Sequence, residues 1–227
     1  MWVILVVVLL ALVFGPSLWV RWVMRAHSEE ISGMPGTGGE LARHLLTKYS
    51  VDGVGVEATE AGDHYDPGAK MVRLSEANFS GKSLTAVAIA AHEVGHAIQD
   101  HRGDRHLAAR TRLAPLADRI ARISSAAIWL APILGLLTRH PVPFSVLILI
   151  GMSGLVARML VHLVTLPTEW DASFGKALPV LMEGQYIAPG EERTIRRILR
   201  AAALTYFAAA LADVLNLFRW AALLLRR

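Results

Sequence analysis

The chain has 227 residues, of which 54% are hydrophobic and only 19% charged, with a mean hydropathy of +0.43. This is too apolar for an ordinary soluble domain, and long charge-free stretches alternate with polar ones, the pattern of a membrane protein with one modest polar domain. The net charge of +4 does not describe a nucleic-acid surface. Arg21, Arg25, Arg196, Arg197, Arg200, Arg226 and Arg227 gather beside the apolar segments, where basic residues anchor helices at a lipid surface. No nucleic-acid partner is expected, and the lipid bilayer is. Cysteine is absent, which excludes a disulfide framework and restricts any metal to nitrogen and oxygen ligands.

Residues 2–20 carry no charge over about the length that crosses a bilayer, and basic residues follow the apolar run instead of preceding it. Residues 1–22 are therefore expected to be an uncleaved transmembrane anchor, with Pro16 placed to kink it and Trp19 and Trp22 suited to the interface.

Residues 23–122 form the main polar domain. After the flexible SGMPGTGG, the segment ELARHLLTKY has apolar residues at helical spacing. VGVEA (54–58) and MVRLS (71–75) have strand composition and are expected to pair as a hairpin across the turn-rich EAGDHYDPGAK. Ser83 has the chemistry to cap a helix running LTAVAIAAHEVGHAIQ. A further helix is expected from Leu107 to Arg122, with Pro115 inside it.

Residues 123–158 are expected to be a transmembrane hairpin, its two apolar runs joined by RHPV, with Gly151 and Gly154 allowing close helix contact. A second polar segment, 159–200, contains the helix candidate PTEWDASFGKALPVLM, opened by Pro167 and stopped near Gly184. Residues 201–227 form a last apolar helix carrying Asp213 and Arg219, either spanning the bilayer or lying partly in its surface. A charge in an apolar helix is expensive and usually paired; Arg158 and His162 are the candidate partners of Asp213.

His92-Glu93-Val94-Gly95-His96 is an HExxH pattern. On a helix, residues four apart share a face, so both imidazoles reach one cation. Zinc accepts two such nitrogens in a tetrahedral site, and Glu93, one position on, reaches the attacking water as general base without being a ligand. The motif sits in AVAIAAHEVGHAI, among small and apolar residues, where ionisable groups without partners are costly to bury. A merely solvated helix face would place Lys, Glu and Gln around it.

Two histidines need a third protein ligand. Glu169 in LPTEWDAS is one candidate, with Asp171 near enough to orient a ligand, although Glu169 also stands where a glutamate would cap the expected helix. His101 and His106 in DHRGDRH are the others, unless they are simply solvated. A strand beside such a site commonly pairs with substrate backbone, and Met71 to Leu74 is the candidate for that part. DHYDPG reads first as a tight turn, with His64 and Tyr65 as further candidates for stabilising an oxyanion. Tyr186 and Arg193 are no better supported.

The run DHYDPGAKMVRLSEANFSGKSLTAVAIAAHEVGHAIQ, with LPTEWDAS later, resembles the YugP-like neutral zinc metallopeptidases of bacterial membranes, over most of the chain. The resemblance implies Zn2+, peptidase activity and a glutamate ligand at the position of Glu169. The layout is also similar to membrane proteases that process prenylated or misfolded proteins. In those the later motif places an aspartate four residues after the glutamate, whereas Asp171 follows by two. The expected fold class is a mainly α integral membrane protein, with a zincin-like HExxH helix and a small β-hairpin or edge strand. The expected function is a membrane-anchored zinc endopeptidase of the cell membrane, its active site on the cytoplasmic side. It would act on membrane or membrane-proximal polypeptides, with His92, His96 and Glu169 on the metal and Glu93 as base. The competing class is a catalytically silent zinc-binding membrane scaffold, against which the intact Glu93 argues. A metal transporter is disfavoured, since no membrane run carries a ligand cluster.

Overall fold

Helices dominate the computed structural model, which describes residues 2–225; the side chains of residues 2–7, 9, 10, 13 and 223–225 lie outside the described set. The apolar run at the start forms helix α1, Trp2–Ala26, with Pro16 inside it. Much of the anchor expectation rests on side chains outside the described residues, as does the part of it that involves Arg226 and Arg227.

Helix α2, Gly38–Lys48, begins two residues inside the run expected to be flexible. The Thr37 hydroxyl accepts from the Glu40 N–H and the Glu40 carboxylate accepts from the Thr37 N–H, satisfying two donors that a helix start leaves orphaned. Helix α4, Leu84–His101, begins where Ser83 Oγ accepts from the Ala86 N–H, as expected. Every residue from Leu84 to Gln99 is buried, which is why this helix lacks a polar face and reads as apolar all round.

The sheet departs from expectation. It holds β1 (Gly55–Thr59), β2 (His64–Asp66) and β3 (Met71–Ser75) in the order β1-β3-β2. β1 pairs with β3 in parallel and β2 pairs with β3 antiparallel. The hairpin therefore joins β2 to β3, and the run containing 54–58 joins the far side of β3. The physical reason is that the apparent loop contains its own strand, whose middle residue Tyr65 is buried. Met71–Arg73 is consequently central, paired with β1 on one side and β2 on the other, and has no free edge for a substrate backbone, while Leu74 pairs with β1 alone. This corrects the strand-pairing expectation for those residues. The short helix α3, Glu76–Phe79, leads from β3 towards α4.

Three more expectations change at helix boundaries. Leu107–Arg122 and the apolar run after it form one helix, α5, Arg105–Thr138, which takes Pro115 and Pro132 in its interior. Helix α6, Pro141–Trp170, runs through Pro167, which opens nothing. It continues without a break into a π-helical segment, Asp171–Ala177, and then α7, Leu178–Glu183. The last stretch is α8, Glu192–Ala203, and α9, Thr205–Leu225. Among the described residues three helical runs are long and apolar enough to cross a membrane: Arg105–Thr138, Pro141–Glu183 and Glu192–Ala222.

The chain divides into two units. One gathers the described parts of Met1–Pro16, Ala109–Thr165 and Tyr206–Arg227. In it α5 meets α6 at the two glycines: a Cβ at Gly151 would lie 2.2 Å from Ile128 Cγ1, and one at Gly154 2.4 Å from Ser124 Cβ. Asp213 is buried, with Arg158 Nε and His162 Nε2 each 3.5 Å from its Oδ2, so both expected partners are present. Large apolar side chains such as Trp129 (78% exposed) and Leu136 (81%) point outwards, as lipid-facing residues do. The other unit comprises Ser17–Ala108 and Leu166–Thr205. Its core packs Leu45, Val72, Leu74, Val94, Leu181, Ile195, Ile198 and Leu199 around α4, and it contains the HExxH motif.

Candidate metal centre

Four residues apart on α4, His92 and His96 present their rings edge to face, with centroids 4.8 Å apart. Glu169, at the end of α6, places Oε2 3.2 Å from His92 Nε2 and 3.5 Å from His96 Nε2. One ligand atom from each of the three lies within 4.8 Å of the others. All are nearly inaccessible: His92 is 4% exposed, His96 3% and Glu169 2%, and Glu93 beside them 6%. The helix-cap alternative for Glu169 falls with the helix start it required, because its carboxylate lies in mid-helix against two imidazoles. His101 and His106 are exposed and stand outside the cluster, as solvated residues do.

What brings α4 against the segment after Glu169 is the absence of a side chain at Gly95. A Cβ there would lie 2.8 Å from the Ala172 carbonyl oxygen and 3.3 Å from Lys176 Cβ. The two backbones thus touch one turn from the ligands.

Beyond the three ligand candidates lies a ring of hydrogen bonds whose members sequence reasoning missed, Asp171 excepted. His92 Nδ1 is 3.0 Å from Ser173 Oγ, and that hydroxyl donates to the Leu199 carbonyl on α8 at 3.1 Å. His96 Nδ1 is 2.9 Å from Gln99 Oε1. The Gln99 amide nitrogen donates to the Thr168 carbonyl at 2.9 Å and to Asp171 Oδ2 at 2.8 Å, and Lys176 Nζ donates to both Asp171 oxygens. Asp171 was expected to orient a ligand, and it does so only at one remove, through Gln99. The available signal was spacing: Gln99 follows His96 by three residues and Ser173 follows Glu169 by four, both one helical turn.

The DHYDP run braces this assembly instead of entering it. Asp63 accepts from the Ser75 N–H and hydroxyl and from the Asn78 amide. The Tyr65 hydroxyl donates to Asp100 Oδ2 at 2.6 Å, tying β2 to the end of α4. Burial, and after it the Asp100 carboxylate, pushes the Tyr65 phenol well above its usual range, so it stays a committed donor. Asp66 closes a turn by accepting from the Gly68 and Ala69 N–H groups, and pairs with Arg73. The Ala69 N–H, Arg73 and the Gly68 N–H hold its carboxyl below the usual range against the opposing effect of burial. The turn expected of this run is present only from Asp66 to Ala69, because His64–Asp66 is strand β2. His64 Nδ1 lies 2.8 Å from the Gly62 carbonyl, and the Tyr186 hydroxyl lies between His44 and Lys48.

A buried set of two imidazoles and one carboxylate matches the three-protein-ligand pattern of hydrolytic zinc sites, which keeps a fourth position open. The residues therefore fit the ion. Comparison with known proteins agrees. The chain belongs to the family described as "Putative neutral zinc metallopeptidase", which it matches over residues 2–225. It is 32% identical over 212 residues to the protein named "Putative membrane protease YugP" of Bacillus subtilis (strain 168), covering 91% of this chain and 90% of that relative. No solved structure matches it. Zinc is the cofactor that family and donor set share.

Proposed function

We propose that this protein is a membrane-anchored zinc endopeptidase in which His92, His96 and Glu169 hold the metal and Glu93 is the general base. The observation that carries the reading is the buried convergence of His92, His96 and Glu169. Glu93 lies on the same helix and is itself buried, so no solvated-surface account of the motif survives.

When bound, zinc supplies Lewis acidity and lowers the pKa of water at its open position towards about 7. Glu93 takes the proton from the attacking water as it adds to the substrate carbonyl, and returns a proton to the leaving amine. The substrate is a polypeptide near the bilayer, consistent with the printed name of the relative and with the long apolar helices. α4 then acts as a zincin-like motif helix, and α1 as the N-terminal anchor.

The site is cytoplasmic in this reading. Arginines follow the first apolar run and precede the last, which the positive-inside tendency assigns to the cytoplasm. Two apolar helices separate His96 from Glu169, and an even number of crossings returns the chain to the side it left.

Glu93→Gln tests the mechanism. It should retain about one zinc per chain and lose hydrolysis of a fluorogenic peptide by about 10²–10⁴-fold, the usual contribution of a general base. His92→Ala should lose the metal as well. Wild-type turnover by purified Glu93→Gln would refute the mechanism.

A further inference from the structure

Hydrogen-bond polarity around the cluster says which nitrogen of each histidine carries a proton. Ser173 has one hydroxyl hydrogen, and the Leu199 carbonyl, which can only accept, takes it. The remaining contact, between Ser173 Oγ and His92 Nδ1, is then a hydrogen bond only if His92 is the donor. Gln99 is constrained in the same way. Its two contacts with Thr168 O and Asp171 Oδ2 both require N–H donors, so its NH2 faces them and its carbonyl oxygen faces His96 Nδ1. That oxygen cannot donate, so His96 must. Lys176, on both oxygens of Asp171, keeps that carboxylate ionised and in place.

We propose that Ser173 and Gln99 are positioning residues that hold His92 and His96 with Nδ1 as the hydrogen-bond donor, so that each Nε2 is the atom turned towards Glu169. The proposal rests on the reading of His92, His96 and Glu169 as metal ligands, and extends it. The two Nε2 atoms and the carboxylate then converge on one point, where a bound cation takes the place of the proton in the 3.2 Å hydrogen bond between His92 Nε2 and Glu169 Oε2. The ligand atoms are thus aimed before a metal arrives.

The two locks are anchored on different elements. Leu199, on α8, fixes His92 through Ser173, while the helix around Thr168 and Asp171 fixes His96 through Gln99. Each histidine can therefore be released separately. The π-helical segment makes the second lock possible. Its wider turn stacks residue i over i+5, which sets Lys176 over Asp171, whereas an α-helix would carry position i+5 well round the axis. Gly175 adds room, since a Cβ there would collide with the Asp171 carboxylate.

The test uses the full-length protein in detergent micelles, labelled with ¹⁵N-histidine and stripped of metal with a chelator. Long-range ¹H–¹⁵N correlation spectra report the protonated nitrogen of each ring. The wild type should show a protonated Nδ1 on both His92 and His96. Ser173→Ala should release His92 into a mixture of forms and leave His96 unchanged; Gln99→Leu should do the reverse. Ser173→Thr, which keeps the hydroxyl, should restore His92. Zinc affinity, measured by chelator competition, should weaken about 10–100-fold in Ser173→Ala and Gln99→Leu. A wild-type spectrum with an unprotonated Nδ1 on either ring overturns the proposal, whether or not any variant folds. So does Ser173→Ala with an unchanged His92 tautomer. No substrate enters the experiment, so failure of the peptidase reading would leave these spectra as they are.

Discussion

Gly95→Ala adds a single methyl group, and the structure says where it goes. The new Cβ would stand 2.8 Å from the carbonyl oxygen of Ala172. Carbon and carbonyl oxygen approach to about 3.3 Å in tight backbone contacts, so α4 and the π-helical segment must separate by about 0.5 Å. Neither partner is the end of a flexible side chain. Overpacking of this kind costs about 1–3 kcal/mol, while replacing glycine by alanine within a helix recovers about 1 kcal/mol. Net destabilisation is then about 0–2 kcal/mol, and the protein should fold. The metal site should suffer more. A functional constellation tolerates about 0.5 Å of displacement, and metal–ligand distances only about 0.2 Å. Glu169 lies on one side of the widened contact and His92 and His96 on the other. Zinc affinity should therefore fall about tenfold or more, comparable to losing a supporting hydrogen bond. The assay pairs a melting curve of the metal-free protein with zinc competition against a chelator. A folded Gly95→Ala protein with wild-type zinc affinity would show that the α4 contact does not set the ligand geometry.

Three further outcomes are expected. Zinc should raise the melting temperature of the chelator-stripped wild type, by the equivalent of about 2.7 kcal/mol at a hundredfold excess over Kd, and should leave that of His92→Ala unmoved in a thermal-shift assay. Asp66→Ala should destabilise the hairpin at neutral pH: because the folded carboxyl is held below its unfolded value, the stabilisation is complete above the unfolded value and disappears as pH falls through the folded one. Melting curves of variant and wild type should accordingly converge in acid, and a gap that persists there would remove Asp66's charge as the cause. With no native cysteine to interfere, cysteines introduced at Ser32 and Thr138 should label from opposite sides of the membrane; labelling of both from outside would reverse the proposed sidedness.

Local signals carried far in this sequence, and non-local ones did not. Ser83 before the motif helix announces a helix start because a cap is a contact between residues three apart, whereas the Thr37–Glu40 cap, of the same kind, lay in a run taken for flexible loop. His92, Glu93 and His96 are legible for the same reason, being one turn of one helix. Glu169 was one of several third-ligand candidates on residue grounds and was singled out only by a resemblance, since nothing in spacing links it to His96 across two long helices. The β-sheet was misread because β2 is three residues long, with polar His64 and Asp66 flanking Tyr65, and too short for alternation to register. Pro167 misled in another way. Proline at a helix start is the common case, and here the helix continues through it at the expense of one backbone hydrogen bond. The π-helical segment has no sequence rule at all, and Ser173, Lys176 and Gly175 take their meaning from it.

That hidden segment also bears on why the site is buried so deeply. Moving a carboxylate such as Glu169 out of water costs several kcal/mol even after relaxation, and its nearest polar neighbours here are two imidazoles. A core built only for stability would fill this position with a leucine. Instead the fold widens a helix, removes a side chain at Gly95 and at Gly175, and holds Gln99 and Ser173 in fixed contacts, all around one acidic residue and two histidines. Each of these features is a cost or a constraint when the site is considered empty. With a divalent cation among the three ligands the signs change. The carboxylate gains a partner inside the low-dielectric interior, the imidazole lone pairs gain an acceptor, and the rigid surroundings reduce the entropy lost on binding. In the proposed mechanism, the burial that makes Glu169 expensive in isolation is what suits it to be a ligand, and what gives the neighbouring Glu93 a dry setting for proton transfer.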